Sequence, residues 1–209
     1  MLRSVNTPSL LIILIILSAS AQDPFFGSLW DRQVDPADAA PRLGGLFDQV
    51  TPENVGKWGV AEPLDDGYQW GALDALYEAA DTLGLQTKQH TFVWGQQQPS
   101  WVTSTNAQAA VEDWIRDYMA RYGSRVDMID VVNEPVHDKP SYRSGLGGDG
   151  ATGWDWVVWV FEKARQYAPD ATLLINEYDV LKFDGTLATY MEVITVRSEE
   201  RRVGKECAT

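Results

Sequence analysis

Short apolar runs alternate with longer amphipathic segments along most of the chain. The short runs are rich in aliphatic and β-branched residues, as buried strands are, and the longer segments repeat apolar residues at three-and-four spacing, as helices do. The predicted strands are Phe25 to Trp30, Leu46 to Val50, Gln86 to Trp94, Met128 to Val132 and Thr172 to Ile175. The predicted helices are Leu73 to Leu83, Ala109 to Tyr122 and Trp154 to Tyr167, with a further periodic segment from Leu187 to Val196. This alternation implies crossover connections and a parallel sheet.

Two architectures fit such a pattern, a closed (β/α)8 barrel (the TIM barrel) and an open, doubly wound sheet. A dinucleotide-binding open sheet should have a Gly-rich turn after its first strand, and residues 27–30 (GSLW) offer none. Polar and aromatic residues instead follow the strands, where a barrel builds its active site. A whole barrel takes about 250 residues, and about five of its eight strand-helix units can be traced. The predicted fold is therefore α/β, a (β/α)8 barrel truncated after about five units.

The first 21 residues predict a secretory signal peptide. Arg3 precedes an apolar run from Leu10 to Leu17, too short to span a bilayer, and residues 19–21 (Ala-Ser-Ala) fit a small-x-small cleavage site. The mature chain would begin at Gln22 and be secreted, either extracellular or periplasmic. The leader contains no Cys to carry a lipid anchor, so no membrane association is expected after cleavage. The only Cys is Cys207, which excludes an internal disulfide.

Residues 22–196 are predicted to form one incomplete catalytic domain, followed by a tail at residues 197–209. The tail begins RSEERRVGKEC, an abrupt cluster of charge. It is either the charged end of a helix or a non-native, adapter-like translation. We favour the second interpretation, which places the native sequence limit near Val196.

Charge and composition narrow the range of partners. The formal net charge of -13 repels phosphate backbones, so nucleic acid is a poor partner. Nine Trp and eight Tyr residues form a high aromatic load, and flat rings suit sugar faces, although most Trp residues pack in cores. No His, Cys or Asp spacing of the metal-ligand type is visible, and no cofactor is expected.

The strongest chemical signal is the segment DVVNEP at Asp130 to Pro135. A carboxyl at the end of a buried strand is partly desolvated, which raises its pKa and lets it protonate a leaving oxygen. Glu134 has this position, and Asn133 beside it can hydrogen-bond a hydroxyl without adding charge. A strand-end Glu can also be purely structural.

Together with three further motifs, this segment resembles the retaining endo-β-1,4-xylanases of glycoside hydrolase family 10. The other motifs are VTPENVGKW at Val50 to Trp58, HTFVWGQQQPSW at His90 to Trp101 and LLINEYDV at Leu173 to Val180. The resemblance implies a monomer that acts on xylan or xylo-oligosaccharides. It also implies that Glu134 is the acid/base and that Asn133 binds the 2-hydroxyl of the sugar being cleaved.

The resemblance implies two further groups of binding residues. Glu53, Asn54 and Lys57 would bind the next sugar toward the non-reducing end, and His90, Trp94 and Gln97 would line the cleavage subsite. Each has a structural alternative. Glu53 and Lys57 could form a surface ion pair, His90 could be a satisfied core histidine, and Trp94 and Trp101 could be packing rather than a sugar cradle. His137 has no motif support. Trp154 belongs to a helical segment whose tryptophans are expected to pack against the barrel, but its position at the helix start could let it reach the cleft.

The chain departs from the family pattern at several positions. It has Gly95 where many members have a second His, Pro135 where an Ala often stands, and Glu177-Tyr178-Asp179 in place of Asp-Tyr-Asn. The nucleophile of the family is a Glu that ends strand seven, and it is absent from this chain. Glu177 is the only tempting substitute, and the family pattern does not support it.

Three other readings compete with the xylanase. One is another retaining (β/α)8 β-glycanase such as an endoglucanase, although glucanases lack the VTPENVGKW and HTFVWGQQQPSW motifs. The second is a non-catalytic carbohydrate-binding fragment. The third is a cloning fragment that does not fold.

Overall fold

Five parallel strands form the sheet, and they pair in chain order. The computed structural model describes residues 26–30 and 45–206, with side chains up to Val196. Within this range, the strands are β1 (Gly27–Trp30), β2 (Gln49–Pro52), β3 (Gln86–Val93), β4 (Met128–Asn133) and β5 (Thr172–Asn176), in the order β1-β2-β3-β4-β5. This confirms the predicted α/β class and the sequential parallel pairing of a barrel wall.

Helices follow β2, β3, β4 and β5 in the described part of the chain. They are α1 (Trp58–Ala61), α2 (Gly71–Leu83), α3 (Ala107–Tyr122), α4 (Asp155–Tyr167) and α5 (Asp184–Glu206), with short 3-10 turns at Gly123–Arg125 and Arg143–Leu146. The bounds of α2, α3 and α4 agree with the predicted helices to within two residues. Helix α2 ends at Gly84, whose φ of 66° lies in the left-handed region and lets its N–H bond back to the Ala80 and Asp81 carbonyls.

The second strand is the one whose predicted position was wrong. Its expected start, Leu46, is 69% exposed, and the strand runs instead from Gln49 to Pro52. The Asp48 carboxylate accepts a hydrogen bond from the Phe26 N–H at 2.9 Å. This bond joins the two segments that lead into β1 and β2. Pro52 can end the strand because the last position does not need to donate to the ladder.

Much of the aromatic content packs between the helices and the sheet. Trp58, Trp70 and Trp114 form a stack, in which the ring centroids of Trp58 and Trp114 are 6.0 Å apart and those of Trp70 and Trp114 are 5.9 Å apart. The Tyr77 and Tyr122 rings stack at 4.4 Å. These rings belong to the core, so the aromatic load alone does not indicate a sugar site.

The predicted leader at residues 1–21 lies outside the described residues. The backbone of residues 197–206 continues helix α5 beyond Val196, and the non-native origin of this tail stays a prediction. No helix in the described part of the chain is long and apolar enough to cross a membrane.

Candidate active site

The carboxyl ends of β2, β3, β4 and β5 lie at one edge of the sheet and carry the residues predicted for the site. Glu53 directly follows β2, Trp94 directly follows β3, and Asn133 is the last residue of β4. His90 lies inside β3, as the predicted strand from Gln86 to Trp94 implies, and the strand ends at Val93. Its side chain therefore points from the sheet rather than from a loop.

Glu134 occupies a restrained position just after β4. Its φ of 52° lies in the left-handed region, which is uncommon for a residue with a Cβ and is often found where function fixes a side-chain direction. Its N–H donates to the Asn176 carbonyl of β5 at 2.7 Å. The Trp94 indole Nε1 donates to Glu134 Oε2 at 2.7 Å. Trp94 thus anchors one carboxyl oxygen, and Asp138 also contacts the carboxyl group.

Several neighbours influence the protonation of Glu134. Burial raises the pKa of its carboxyl, the Trp94 hydrogen bond lowers it, and a hydrogen bond and negative charge from Asp138 raise it again, as does Glu177. The pKa lies above the ordinary range of a glutamate, so the carboxyl keeps its proton to a higher pH. This is the property expected of a general acid.

Asn133 is buried directly beside the acid. Its Oδ1 accepts a hydrogen bond from Asn176 Nδ2 at 2.7 Å, which fixes the orientation of the amide. With the carbonyl oxygen engaged, Nδ2 is the group that can donate to a sugar hydroxyl.

His90 is oriented by a buried carboxylate. The Oδ2 atom of Asp130 lies 2.9 Å from His90 Nδ1 and 2.8 Å from Lys88 Nζ. Because a carboxylate paired with an ammonium can only accept, Nδ1 of His90 carries the proton and Nε2 is the nitrogen left for a ligand. The core-histidine alternative is thus half correct, since one ring nitrogen is satisfied. Sequence reasoning assigned no role to Asp130 or Lys88, although an acid inside a β-branched strand is a signal for a buried partner.

The loop after β2 supplies the second group of predicted binding residues. Lys57 Nζ donates to Asn54 Oδ1 at 3.2 Å, and Gln97 Nε2 donates to the same oxygen at 3.3 Å. The Lys57 ammonium lies 4.8 Å from the centroid of the Trp94 ring, which joins this loop to the acid. Burial lowers the pKa of Lys57, and the charges of Glu53 and Glu134 oppose that effect. Lys57 is nearly buried, so it is not half of a surface ion pair.

Two tryptophans considered from the sequence have packing roles. The Trp101 ring packs edge-on against Trp58, with centroids 5.8 Å apart, and its Nε1 donates to the Glu62 carbonyl at 3.3 Å. These contacts join Trp101 to α1 and to Glu62, and its place in a sugar cradle with Trp94 stays a prediction. Trp154 is buried at the start of α4, with Lys139 Nζ 4.3 Å from its ring centroid.

Glu177 is a structural acceptor. Its side chain is fully buried and accepts hydrogen bonds from the Val136 N–H at 2.8 Å, from His137 Nδ1 at 2.8 Å and from the Tyr178 N–H at 2.9 Å. The His137 ring stacks on Tyr178 at 4.2 Å. With both oxygens engaged, Glu177 is poorly placed to attack a sugar, so it does not replace the missing nucleophile.

Sequence reasoning missed Asp138 and Gln96. Gln96 Nε2 donates to Asp138 Oδ1 at 2.5 Å, and the Asp138 side chain reaches the carboxyl of Glu134. The four-residue spacing between Glu134 and Asp138 could have suggested the contact, since the Asp138 N–H also bonds the Glu134 carbonyl at 2.8 Å. The described residues contain no group of three or more His, Cys, Asp or Glu side chains that could hold a metal ion.

Comparisons with known proteins agree on one family. The profile of glycosyl hydrolase family 10 matches residues 17–202. The chain is 41% identical over 140 residues to endo-1,4-beta-xylanase B of Cellvibrio japonicus, covering 66% of this chain and 23% of that protein. It is 34% identical over 149 residues to endo-1,4-beta-xylanase C of Phanerodontia chrysosporium, covering 69% of this chain and 37% of that protein.

Solved structures show the same fold. A GH10 structure from Paenibacillus barcinonensis aligns with a TM-score of 0.76 at 24% identity, over 84% of this chain and 57% of that one. An endo-1,4-beta-xylanase from Caldicellulosiruptor owensensis aligns with a TM-score of 0.71 at 24% identity, over 85% and 57%. The chain therefore spans little more than half of these structures, and 23% and 37% of the two curated relatives.

Proposed function

The chain belongs to glycosyl hydrolase family 10, and on that premise we propose that it is part of a retaining endo-1,4-β-xylanase with Glu134 as the acid/base. The names of the two similar curated proteins support this activity. Because the chain spans less than half of each, the activity is proposed for the whole protein and not for this chain alone. We further propose that the whole protein is secreted, acts as a monomer and binds xylan or xylo-oligosaccharides.

One observation carries the assignment of the acid, namely the hydrogen bond from Trp94 Nε1 to Glu134 Oε2 at 2.7 Å. It holds the carboxyl in a fixed direction at the mouth of the sheet, while burial raises the pKa of the carboxyl. In the proposed first step, a second carboxylate attacks the anomeric carbon while the Glu134 carboxyl gives its proton to the departing glycosidic oxygen, so the sugar is transferred to that carboxylate. After departure of the leaving group, the Glu134 carboxylate accepts a proton from the water that completes the reaction.

Retention requires a second carboxylate about 5 Å from the acid. Asp138 is hydrogen-bonded to the acid itself, and the oxygens of Glu177 are occupied. In our proposal the nucleophile is the Glu that the family resemblance places on a seventh strand, and the described residues form five strands.

The remaining residues position the substrate. The Asn133 amide would hold the 2-hydroxyl of the sugar being cleaved, and His90 Nε2 and Gln97 would contact the same sugar. Lys57 and Asn54, already joined at 3.2 Å, would bind the next sugar with Glu53 beside them. Two or three polar contacts per sugar are enough to set its register, which matters because correct placement accounts for much of a glycosidase's rate.

The test is hydrolysis of xylan by the whole protein and by its Glu134→Gln variant. Loss of the acid should lower the rate by about 10² to 10⁴. For aryl xylosides with good leaving groups, the rate of the glycosylation step should fall less, because these leaving groups need little protonation. Glu162→Gln, at an exposed glutamate of α4, is the matched control and should retain full activity.

Three outcomes would change the assignment. Equal losses on xylan and on activated aryl xylosides would make Glu134 structural. Faster hydrolysis of β-1,4-glucan than of xylan would favour the endoglucanase alternative. Binding of xylan without any hydrolysis by the whole protein would favour the carbohydrate-binding alternative.

A further inference from the structure

A chain of polar groups crosses the otherwise apolar layer between the helices and the sheet. Gln89 lies on the helix-facing side of β3 and is fully buried, as are Tyr77 of α2 and Tyr118 of α3. The Tyr77 and Tyr118 hydroxyls are 2.7 Å apart, and the Tyr118 hydroxyl donates to Gln89 Oε1 at 2.6 Å. A glutamine is unusual at such a position, because buried polar groups are costly unless every one of them is satisfied.

The direction of these hydrogen bonds is fixed from end to end. Since the Tyr118 hydroxyl donates to Gln89, it must accept from Tyr77. The Gln89 carbonyl oxygen is engaged by Tyr118, so the amide group points the other way, and Nε2 donates to the Gly56 carbonyl at 2.6 Å. The relay therefore has one defined orientation and ends on the backbone of the loop after β2.

Gly56 is the point at which this loop rests on β3. A Cβ there would lie 2.7 Å from the His90 carbonyl oxygen and 2.8 Å from Gln89 Oε1, so only glycine allows the approach. Asn54 and Lys57 flank this contact in sequence, and the Lys57 ammonium donates to Asn54 Oδ1 at 3.2 Å. A shift of the Gly56 carbonyl would move both side chains.

We propose that the relay of Tyr77, Tyr118 and Gln89 positions the loop of residues 53–57, and that Gln89 is a positioning residue for the subsite one sugar beyond the cleavage point. This inference rests on the proposed function. A positioning role for Gln89 differs from a purely structural role in one measurable respect. Substrates that fill the second sugar subsite should depend on the relay, and substrates that fill only the cleavage subsite should not.

The test compares an aryl xylobioside with an aryl xyloside in the whole protein. Gln89→Met keeps the length of the side chain but removes the donor to Gly56. We expect kcat/KM for the xylobioside to fall about tenfold, mostly through KM, with the xyloside changed by less than about twofold. Tyr122→Phe is the matched control. It removes a part-buried hydrogen bond of 2.7 Å from the Tyr122 hydroxyl to Asp74, and Tyr122 lies on α3, the helix that also carries Tyr118.

A double variant separates positioning from stability. Tyr118→Phe alone leaves the Gln89 oxygen unsatisfied and should lower Tm. Adding Gln89→Met removes both partners and should restore part of that loss. The xylobioside defect should nevertheless persist, because Gly56 still lacks its donor. Equal losses on both substrates, or recovery of xylobioside hydrolysis along with Tm, would overturn the proposal.

Amide hydrogen exchange of the loop gives a readout that does not need catalysis. Gln89→Met should accelerate exchange at residues 54–57 by about tenfold, because exchange follows the local opening of the segment. Unchanged exchange would overturn the positioning role. If the wild-type protein hydrolyses neither substrate, the proposed function fails, and the exchange rates still decide whether the relay holds the loop.

Discussion

Glu134 and Lys57 are both held where their charged forms are disfavoured. Burial raises the pKa of the carboxyl and lowers the pKa of the ammonium, and in each case burial is the largest cause. The two charges partly compensate for this, since Glu134 raises the pKa of Lys57. Residues that oppose stability in this way are typical of functional sites. Replacing them should therefore raise the stability of the fold and weaken catalysis or binding.

Replacing Glu134 by Gln should raise stability at neutral pH. Below about pH 4 the carboxyl is protonated in both the folded and the unfolded states, so its raised pKa has no effect on the unfolding equilibrium. As the pH rises through the folded-state pKa, the unfolded chain ionises more readily and stability falls. Because Gln cannot ionise, the variant avoids that loss. We expect its Tm to exceed that of the wild type by on the order of 2 °C at pH 7.5 and to match it at pH 4.

Differential scanning calorimetry across this pH range is the measurement, with Glu162→Gln as the control at an exposed glutamate. The control should give no pH-dependent difference from the wild type. A Glu134→Gln gain that is larger at pH 4 than at pH 7.5 would reverse the sign and contradict the raised pKa.

Lys57→Met should raise stability and weaken binding in the second sugar subsite. The lowered pKa means that the charged form is penalised in the folded state throughout the neutral range, and that the penalty disappears only above about pH 10, where the unfolded chain also loses its proton. Calorimetric titration with xylotriose should show affinity reduced by at least about tenfold, the cost of about one charged hydrogen bond. Lys182→Met, at an exposed lysine of the β5–α5 connection, should change neither quantity. Weaker binding together with a lower Tm would mean that Lys57 is structural.

At the level of elements, periodicity was sufficient for α2, α3 and α4 and for the existence of five strands, but not for the short α1, the start of β2 or the contacts between loops. The apolar spacing of α2, α3 and α4 is a local property, so their bounds follow from the sequence. The late start of β2 depends on its pairing with neighbouring strands, which a local pattern does not contain. The motif residues Asn54, Lys57, Trp94 and Glu134 were predicted as a group, and the structure brings them together. Asp138 and Gln96 were missed because their contact joins two loops distant in sequence.

Gly95 illustrates what only the structure explains. From the sequence it was a departure from the family pattern, without a reason. Its N–H donates to the Asp138 carbonyl at 2.8 Å, and a Cβ at Gly95 would lie 2.3 Å from that same oxygen. The loops after β3 and β4 thus touch backbone to backbone, and a larger side chain at this position would separate them. The backbone contact between Gly95 and Asp138 therefore accounts both for the glycine at position 95 and for the placement of Asp138 beside Glu134.

Gly95→Ala should therefore destabilise the fold and disturb the acid. The new methyl group must displace backbone rather than a flexible side chain, which costs about 1 to 3 kcal/mol. Gly71→Ala is the matched control, because no atom lies within 4 Å of the new Cβ at the first residue of α2. That control should gain about 0.4 to 1 kcal/mol through the lower entropy of the unfolded chain. Urea unfolding of both variants measures the difference, and equal stability of the two would show that the loops do not touch as described.

On the scale of the whole molecule, the described sheet is open on both sides. Within residues 26–30 and 45–206, β1 pairs only with β2 and β5 pairs only with β4. β4 is almost entirely buried, whereas the side chains of β5 remain partly exposed. The sequence predicted this incomplete wall from the number of strand-helix units. The position of the nucleophile could not be predicted, because no residue of this chain matches that motif.

The apolar surface beside β5 should make the 209-residue chain self-associate when it is expressed alone. Leu181 is 97% exposed in the β5–α5 connection, and Met191 of α5 is 50% exposed. Exposed apolar side chains next to an unpaired strand edge favour pairing between copies. Replacing both by Lys should reduce the mass measured by light scattering at high concentration and leave Tm nearly unchanged, since neither side chain is packed. Leu64→Lys, at a leucine that is 61% exposed after α1, is the matched control and should leave the association intact. Two results would show that this edge does not drive association. One is a wild-type chain that remains monomeric at every concentration, and the other is a Leu64→Lys variant whose measured mass falls as much as that of the double variant.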